Sequence, residues 1–217
     1  MNAFQPPAIP SRGDVEREAR WLSSLPGDFG GLVRDLLPEF PAYARVLHRP
    51  GSAETWSSIA SAHNKVAHST MQWGCIQSGD GYEAPAVGLI DATTVEALER
   101  ALGPRRLFGA IWVGWGHHGP RLEGASASRP HREYVVIPGG WSTFTADWSS
   151  YDAPNTPPAF LWDAAHEWMA STEIDFDSTI IGGDEQLIAA ILQDTSIESW
   201  SIRPTDSLQS DGDRLNC

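Results

Sequence analysis

Apolar positions recur at helical spacing in several stretches of the chain. In "DVEREARWLSSL", Val15, Ala19 and Leu22 form one helical stripe, and Asp14 is the expected N-cap. "DATTVEALERALG" has the same periodicity and stops at Gly103, where a glycine ends a helix readily. "DEQLIAAILQ" repeats the pattern late in the sequence. These stretches are predicted to be amphipathic helices.

Other stretches show the spacing of strands. "AYARVLH" alternates, and "LFGAIWVGWG" is a continuous apolar run typical of a central strand. "HREYVVIPGGWSTFTADW" predicts two strands joined at 138–140 into a hairpin, whereas the preceding "HHGPRLEGASASRP" is expected to be a loop. "TEIDFDSTII" predicts a further strand, followed by a glycine pair at which Asp184 is expected to cap the late helix.

The order of these elements predicts one α+β domain over residues 14–203. Its N-terminal half is expected to be rich in helices, its C-terminal half to hold a mainly antiparallel sheet, and a helix to follow near the end. Residues 1–13 are rich in proline and residues 204–217 are polar, so both are predicted to be flexible tails.

Charge narrows the set of partners. The formal net charge is −13, with 28 acidic and 15 basic residues, and no basic cluster is present. Such a chain is predicted to bind neither nucleic acid nor an anionic membrane, because both require a cationic surface. No apolar run reaches the length of a membrane span, and the first residues do not resemble a signal peptide, so a cytoplasmic location is expected.

Two cysteines, Cys75 and Cys217, allow one disulfide but no disulfide framework. With a cytoplasmic location, both are expected to be reduced. Histidines 117, 118 and 131 with Glu133 lack the spacing of a zinc signature. The sequence therefore predicts neither a metal site nor a cofactor.

The segment from Asp175 to Thr179 has the Asp-x-Asp-x-Thr form of the nucleophile loop of haloacid dehalogenase-type phosphatases. That chemistry needs a downstream lysine and further acidic residues to stabilise the transferring phosphoryl group and Mg²⁺. Lys65 is the only lysine and lies upstream. A phosphatase is therefore disfavoured, and no catalytic residue is predicted.

As a strand, the same segment would place three carboxylates on one face: Glu173, Asp175 and Asp177. That face is either solvated or lined by cations such as Arg132. The chain also has 10 tryptophans, six of them between residues 112 and 168. They either fill the core or line a groove or an interface, where tryptophan is enriched.

The segments "YARVLH", "VGWG", "REY" and above all "EIDFDST-x-x-GG" resemble, in this order, a family of uncharacterised actinobacterial proteins. The resemblance covers roughly residues 30–203. It implies no known activity and no catalytic residues.

The expected function is therefore binding without catalysis, through an acidic, tryptophan-rich surface that attracts a basic protein. The oligomeric state is not predicted. The alternative is a metal-dependent hydrolase that uses the carboxylates of residues 173–177. The candidate binding surface consists of Trp115, Arg132, Glu133, Tyr134, Glu173, Asp175 and Asp177.

Overall fold

The computed structural model describes residues 10–27, 31–51, 54–77, 81–115, 124–144 and 158–217. They form seven α-helices: α1 (Arg12–Ser24), α2 (Val33–Leu36), α3 (Trp56–Ala62), α4 (Trp73–Ile76), α5 (Ala92–Leu102), α6 (Trp141–Phe144) and α7 (Glu185–Gln193). They also form eight strands: β1 (Ala42–Leu47), β2 (Leu107–Trp112), β3 (Ala125–Arg129), β4 (Arg132–Gly139), β5 (Phe160–Asp163), β6 (Met169–Ser171), β7 (Ser178–Gly183) and β8 (Glu198–Ser201). Short 3₁₀ turns occur at Val113–Trp115 and Ser210–Gly212.

The strands form one sheet in the order β3-β4-β2-β5-β6-β7-β1-β8. Each neighbouring pair is antiparallel. The α+β class is therefore confirmed. A helix-rich N-terminal half is not, because strands are spread across the chain. β1 lies between β7 and β8, and β2 lies between β4 and β5, so early strands sit inside the sheet.

Helices cover both faces of the sheet. Leu22 of α1 and Leu36 of α2 are buried in a cluster on one face. Leu98 of α5 and Ile188 of α7 are buried in a second cluster on the other face. A smaller cluster around Trp56 packs α3 and α4 at the end of β1. Among the described helices, none has the length and apolar character needed to cross a membrane.

The helix ends follow local capping chemistry. Asp184 caps α7 as predicted, because its carboxylate accepts a hydrogen bond from the Leu187 N–H at 2.7 Å. Gly103 ends α5 with a φ of +70°. The predicted N-cap of α1 is wrong: the cap is Ser11, and Asp14 is the third helical residue of a capping box. The helix thus includes two residues of the predicted tail, and residues 1–9 of that tail lie outside the described residues.

The predicted hairpin at residues 138–140 is wrong. β4 continues through Pro138, which pairs with Phe108 of β2, and ends in the short helix α6. Within the described residues, the β3–β4 pairing reaches Val136, and no described residue pairs with Pro138 from the β3 side. Proline has no backbone N–H to donate and is usually confined to edge strands, strand ends or bulges. Pro138 is the last residue but one of β4.

The hairpin lies earlier, between β3 and β4. Arg129 pairs with Arg132, which leaves Pro130 and His131 as a two-residue turn. His131 has a φ of +64°, the left-handed conformation that such a tight turn needs. Part of the stretch predicted as a loop is therefore the edge strand β3.

The strand predicted over 172–181 begins six residues later, at Ser178. Residues 172–177 connect β6 to β7, and the Phe176 N–H donates to the Glu173 carbonyl at 3.0 Å in a turn. The period-two alternation does not apply across a turn. Glu173, Asp175 and Asp177 therefore do not share one strand face.

The segment 204–217, predicted to be a flexible tail, instead packs against the domain. Leu208 is 3% exposed in the α1–α2 core, and Asp213 is buried. Cys217 forms a disulfide with Cys75 of α4, where reduced thiols were expected. The sequence showed no apolar periodicity here, because the segment is held by single side chains and backbone hydrogen bonds.

We expect Gly182→Ala to lower the free energy of unfolding by about 1–3 kcal/mol, as overpacking in a dense core does. A Cβ atom at Gly182, inside β7, would overlap the Phe40 ring. Chemical denaturation measures the change. Gly140→Ala is the control, because a Cβ there meets nothing within 4 Å. Equal stability of the two variants would contradict the tight contact at Phe40.

Candidate functional site

Arg132 organises a polar cluster at one end of the sheet. It is the first residue of β4, directly after the tight turn. Its Nη2 atom lies 2.5 Å from Glu173 Oε1 and 3.2 Å from Asp175 Oδ2. Its guanidinium carbon also lies 5.1 Å from the centre of the Trp112 ring. One cation thus bridges two carboxylates and stacks on an indole, so of the two possibilities left open by the sequence, the structure shows the carboxylates of Glu173 and Asp175 beside a cation.

The two carboxylates differ in environment. The side chain of Glu173 is 4% exposed and that of Asp175 is 74% exposed. Burial raises the pKa of Glu173, while the Ile174 N–H and Arg132 act in the opposite direction and Asp175 adds to the rise. Glu173 therefore anchors Arg132 from inside, and Asp175 presents the solvent-facing charge.

Two buried side chains near Arg132, those of Tyr134 and Arg129, have polar atoms that make no hydrogen bond within the described residues. Among the described residues, the Tyr134 hydroxyl and the Nε and Nη1 atoms of Arg129 have no hydrogen-bond partner. The Tyr134 ring packs edge-on against the Phe160 ring, with 5.4 Å between the ring centres. The Arg129 guanidinium lies over the Phe160 ring. Burial, followed by the charge of Glu173, raises the pKa of Tyr134, and burial lowers the pKa of Arg129.

A concavity of about 260 Å³ opens beside the two carboxylates. Its lining combines an aromatic ring, an aliphatic side chain, carboxylates and neutral polar groups. A cationic side chain would meet compatible chemistry there, since carboxylates attract it and the face of an aromatic ring stabilises it. The lining residues are Leu36, Glu173, Asp175, Phe176, Gln209 and Ser210.

The structure brings together four of the seven predicted surface residues: Arg132, Tyr134, Glu173 and Asp175. Glu133 does not join them, because alternation along β4 turns it to the opposite face, where it is exposed. The side chain of Trp115 lies outside the described part of the chain. Of the other five tryptophans between residues 112 and 168, Trp148 lies outside the described residues, Trp112 is half-buried, and three are buried in the core: Trp141, Trp162 and Trp168.

Asp177 also lies elsewhere. Its carboxylate is 3.4 Å from Nη2 of Arg45, a fully buried side chain of β1. Arg45 had a sequence signal that was missed, since it is the one charged residue inside the apolar strand "AYARVL". A charged side chain that is fully buried is almost always paired. Phe176 and Arg129 had no comparable signal.

These positions bear on metal binding. Glu173 and Asp175 are held by Arg132, whereas Asp177 is held by Arg45. Within the described ranges, no group of three or more His, Cys, Asp or Glu side chains is arranged to hold a metal ion. The hydrolase alternative thus has no observed ligand set in this part of the chain.

No family model, no curated protein and no solved structure matches this chain. The resemblance to an actinobacterial family therefore stays a prediction. The geometry of the site carries the functional proposal alone.

Proposed function

We propose that the protein acts by binding a basic polypeptide at the Arg132 cluster, without catalysis. The observation that carries this proposal is the position of Asp175. Its carboxylate is fixed by Arg132 at 3.2 Å, yet it remains 74% exposed at the rim of a concavity. A preorganised charge loses little conformational freedom when a partner binds.

The surroundings of Asp175 suit a basic chain that also carries apolar side chains. Val113, next to Trp112, is 55% exposed and would offer an apolar contact to such a chain. The net charge of −13 would accelerate association with a cationic partner. A lysine or arginine of that partner would enter the concavity between Phe176 and the carboxylates.

The expected location remains the cytoplasm. In the described part of the chain, no observation favours the hydrolase alternative. Both carboxylates beside the concavity are paired with Arg132, so the three ionised groups together carry one negative charge, which the exposed Asp175 presents to a partner.

Asp175→Lys should weaken binding of a basic peptide at least about tenfold, because it places a like charge where the partner's cation sits. Isothermal titration calorimetry with a synthetic peptide of alternating arginine and leucine measures this affinity. Wild-type binding should also weaken as salt increases.

Glu133→Lys is the matched control. It changes the net charge by the same amount, but it lies on the opposite face of β4 and should leave the affinity within about twofold of wild type. Equal losses in both variants would show that net charge alone attracts the peptide. A wild-type protein that does not bind the peptide would overturn the proposal.

A further inference from the structure

The segment 203–217, called the strap here, is fixed to the domain at two separate places. The first is α2. There the N–H groups of Val33 and Arg34 donate to the carbonyls of Asp206 and Pro204 at 3.2 and 3.0 Å. Leu208 adds an apolar contact in the core. This anchor joins backbone to backbone and does not depend on any cysteine.

The second anchor is built on Asp213, which is 2% exposed. Its carboxylate is 2.8 Å from His68 Nε2, and it accepts hydrogen bonds from the Gln72 N–H and the Asn216 side chain. Burial alone would raise the pKa of Asp213, but these hydrogen bonds outweigh it and the pKa is lowered. The carboxylate thus ties the strap to the segment that leads into α4.

The Cys75–Cys217 disulfide closes this second anchor. The two Cα atoms are 5.3 Å apart, and the bond joins positions separated by 142 residues. Cys217 is exposed and Cys75 is 8% exposed. A reductant can therefore approach the bond from the Cys217 side.

Between the two anchors, the strap forms one wall of the candidate site. Gln209 and Ser210 line the concavity opposite Asp175 and Phe176. Ser210 begins a 3₁₀ turn that ends at Gly212, directly before Asp213. The position of this wall therefore depends on both anchors.

We propose that the Cys75–Cys217 bond is a redox latch that controls the Arg132 site through this wall. A dithiol reductant donates two electrons and two protons, the S–S bond breaks into two thiols, and the dithiol becomes a disulfide. The wall then loses its covalent tether. Its C-terminal side is left with the hydrogen bonds of Asp213, while the α2 anchor stays in place. This inference rests on the proposed binding function.

The chemistry fits the expected cytoplasmic location. Cytosolic dithiols keep most thiols reduced, and the disulfides that do form there are usually transient or redox-sensing. The oxidised protein is the binding-competent form, because its wall is already ordered. In the reduced protein the residues from Gln209 to Gly212 must be ordered when the partner binds, which lowers the affinity.

The test compares the oxidised full chain with the same chain in dithiothreitol, and with Cys217→Ser in both conditions. Hydrogen exchange should accelerate at least about tenfold in residues 209–217 on reduction and stay unchanged in α5 and α7. Affinity for the arginine–leucine peptide should fall at least about tenfold. Cys217→Ser should match the reduced wild type in both conditions.

The two readouts separate this inference from the binding proposal. Accelerated exchange with no peptide binding in either state would overturn the binding site and, with it, control of that site by the latch. Tight binding that does not change on reduction, or unchanged exchange in the strap, would overturn the latch and leave the binding proposal standing. Hydrogen exchange that accelerates throughout α5 and α7 on reduction would also overturn the latch, because the disulfide would then stabilise the whole domain.

Discussion

Arg45→Met should lower the free energy of unfolding by about 3–5 kcal/mol, the usual cost of breaking a buried ion pair from one side. The Arg45 side chain is fully buried, and its Nε donates to the Ser178 hydroxyl at 2.9 Å. Its Nη1 donates to the carbonyls of Met71 and Ser69 at 2.8 and 3.1 Å. Methionine fills similar volume but leaves these acceptors and Asp177 without their donor.

Urea denaturation followed by tryptophan fluorescence measures the change. Arg20→Met removes the same charge from an exposed position on α1 and should change stability by less than about 0.5 kcal/mol. Adding Asp177→Asn to Arg45→Met should recover part of the lost stability, because the double variant no longer has a carboxylate at position 177 without its cation. A loss below about 1 kcal/mol in Arg45→Met would contradict a structural role for this ion pair.

The sequence was sufficient to predict those helices and strands whose formation depends on residues close to one another along the chain. α5 and α7 were predicted because each helix has its apolar spacing and its end signal within one short stretch of sequence. The end signal is Gly103 for α5 and the Asp184 cap for α7. β1 was predicted from its alternation. None of these features needs information about a distant partner.

Two predictions of local structure failed, one of a turn where the structure has a strand and one of a strand where it has a turn. Pro138 and Gly139 were interpreted as a turn, yet β4 passes through them because both pair with β2. "EIDFD" was interpreted as a strand because Ile174 and Phe176 alternate with acids. In the structure a hydrogen bond from the Phe176 N–H to the Glu173 carbonyl makes it a turn. Local propensity is a weak guide when pairing with distant strands decides the register.

The candidate site is assembled from distant segments, which explains why only part of it could be predicted. Arg132 and Asp175 are 43 positions apart, and the wall at Gln209 comes from a segment expected to be a flexible tail. The charges made a pairing of Arg132 with the 173–175 carboxylates one of two possibilities, the other being a solvated face. The concavity and the disulfide depend on how segments cross in space, and a single sequence does not contain that information.

Arg132→Met should lower the free energy of unfolding by about 3 kcal/mol at neutral pH, because Glu173 is buried and loses its cation. The loss should depend on pH. Burial raises the pKa of Glu173 above its ordinary value of 4.5, and Arg132 opposes that rise, so removing Arg132 raises the pKa further. A carboxyl group whose folded pKa is raised destabilises the fold once pH exceeds the unfolded value.

The free energy of unfolding of Arg132→Met should therefore fall least below that of wild type at pH values under about 4.5, where Glu173 is protonated in both the folded and the unfolded state. This deficit should grow as pH rises through the folded pKa of the variant and then level off. Urea denaturation from pH 4 to pH 8 measures this profile. Arg132→Met combined with Glu173→Gln should remove the pH dependence and recover part of the stability, because the amide carries no charge to bury. A deficit that is constant across this range, or unchanged by Glu173→Gln, would show that Arg132 stabilises the fold through Trp112 or Asp175 and not by neutralising Glu173.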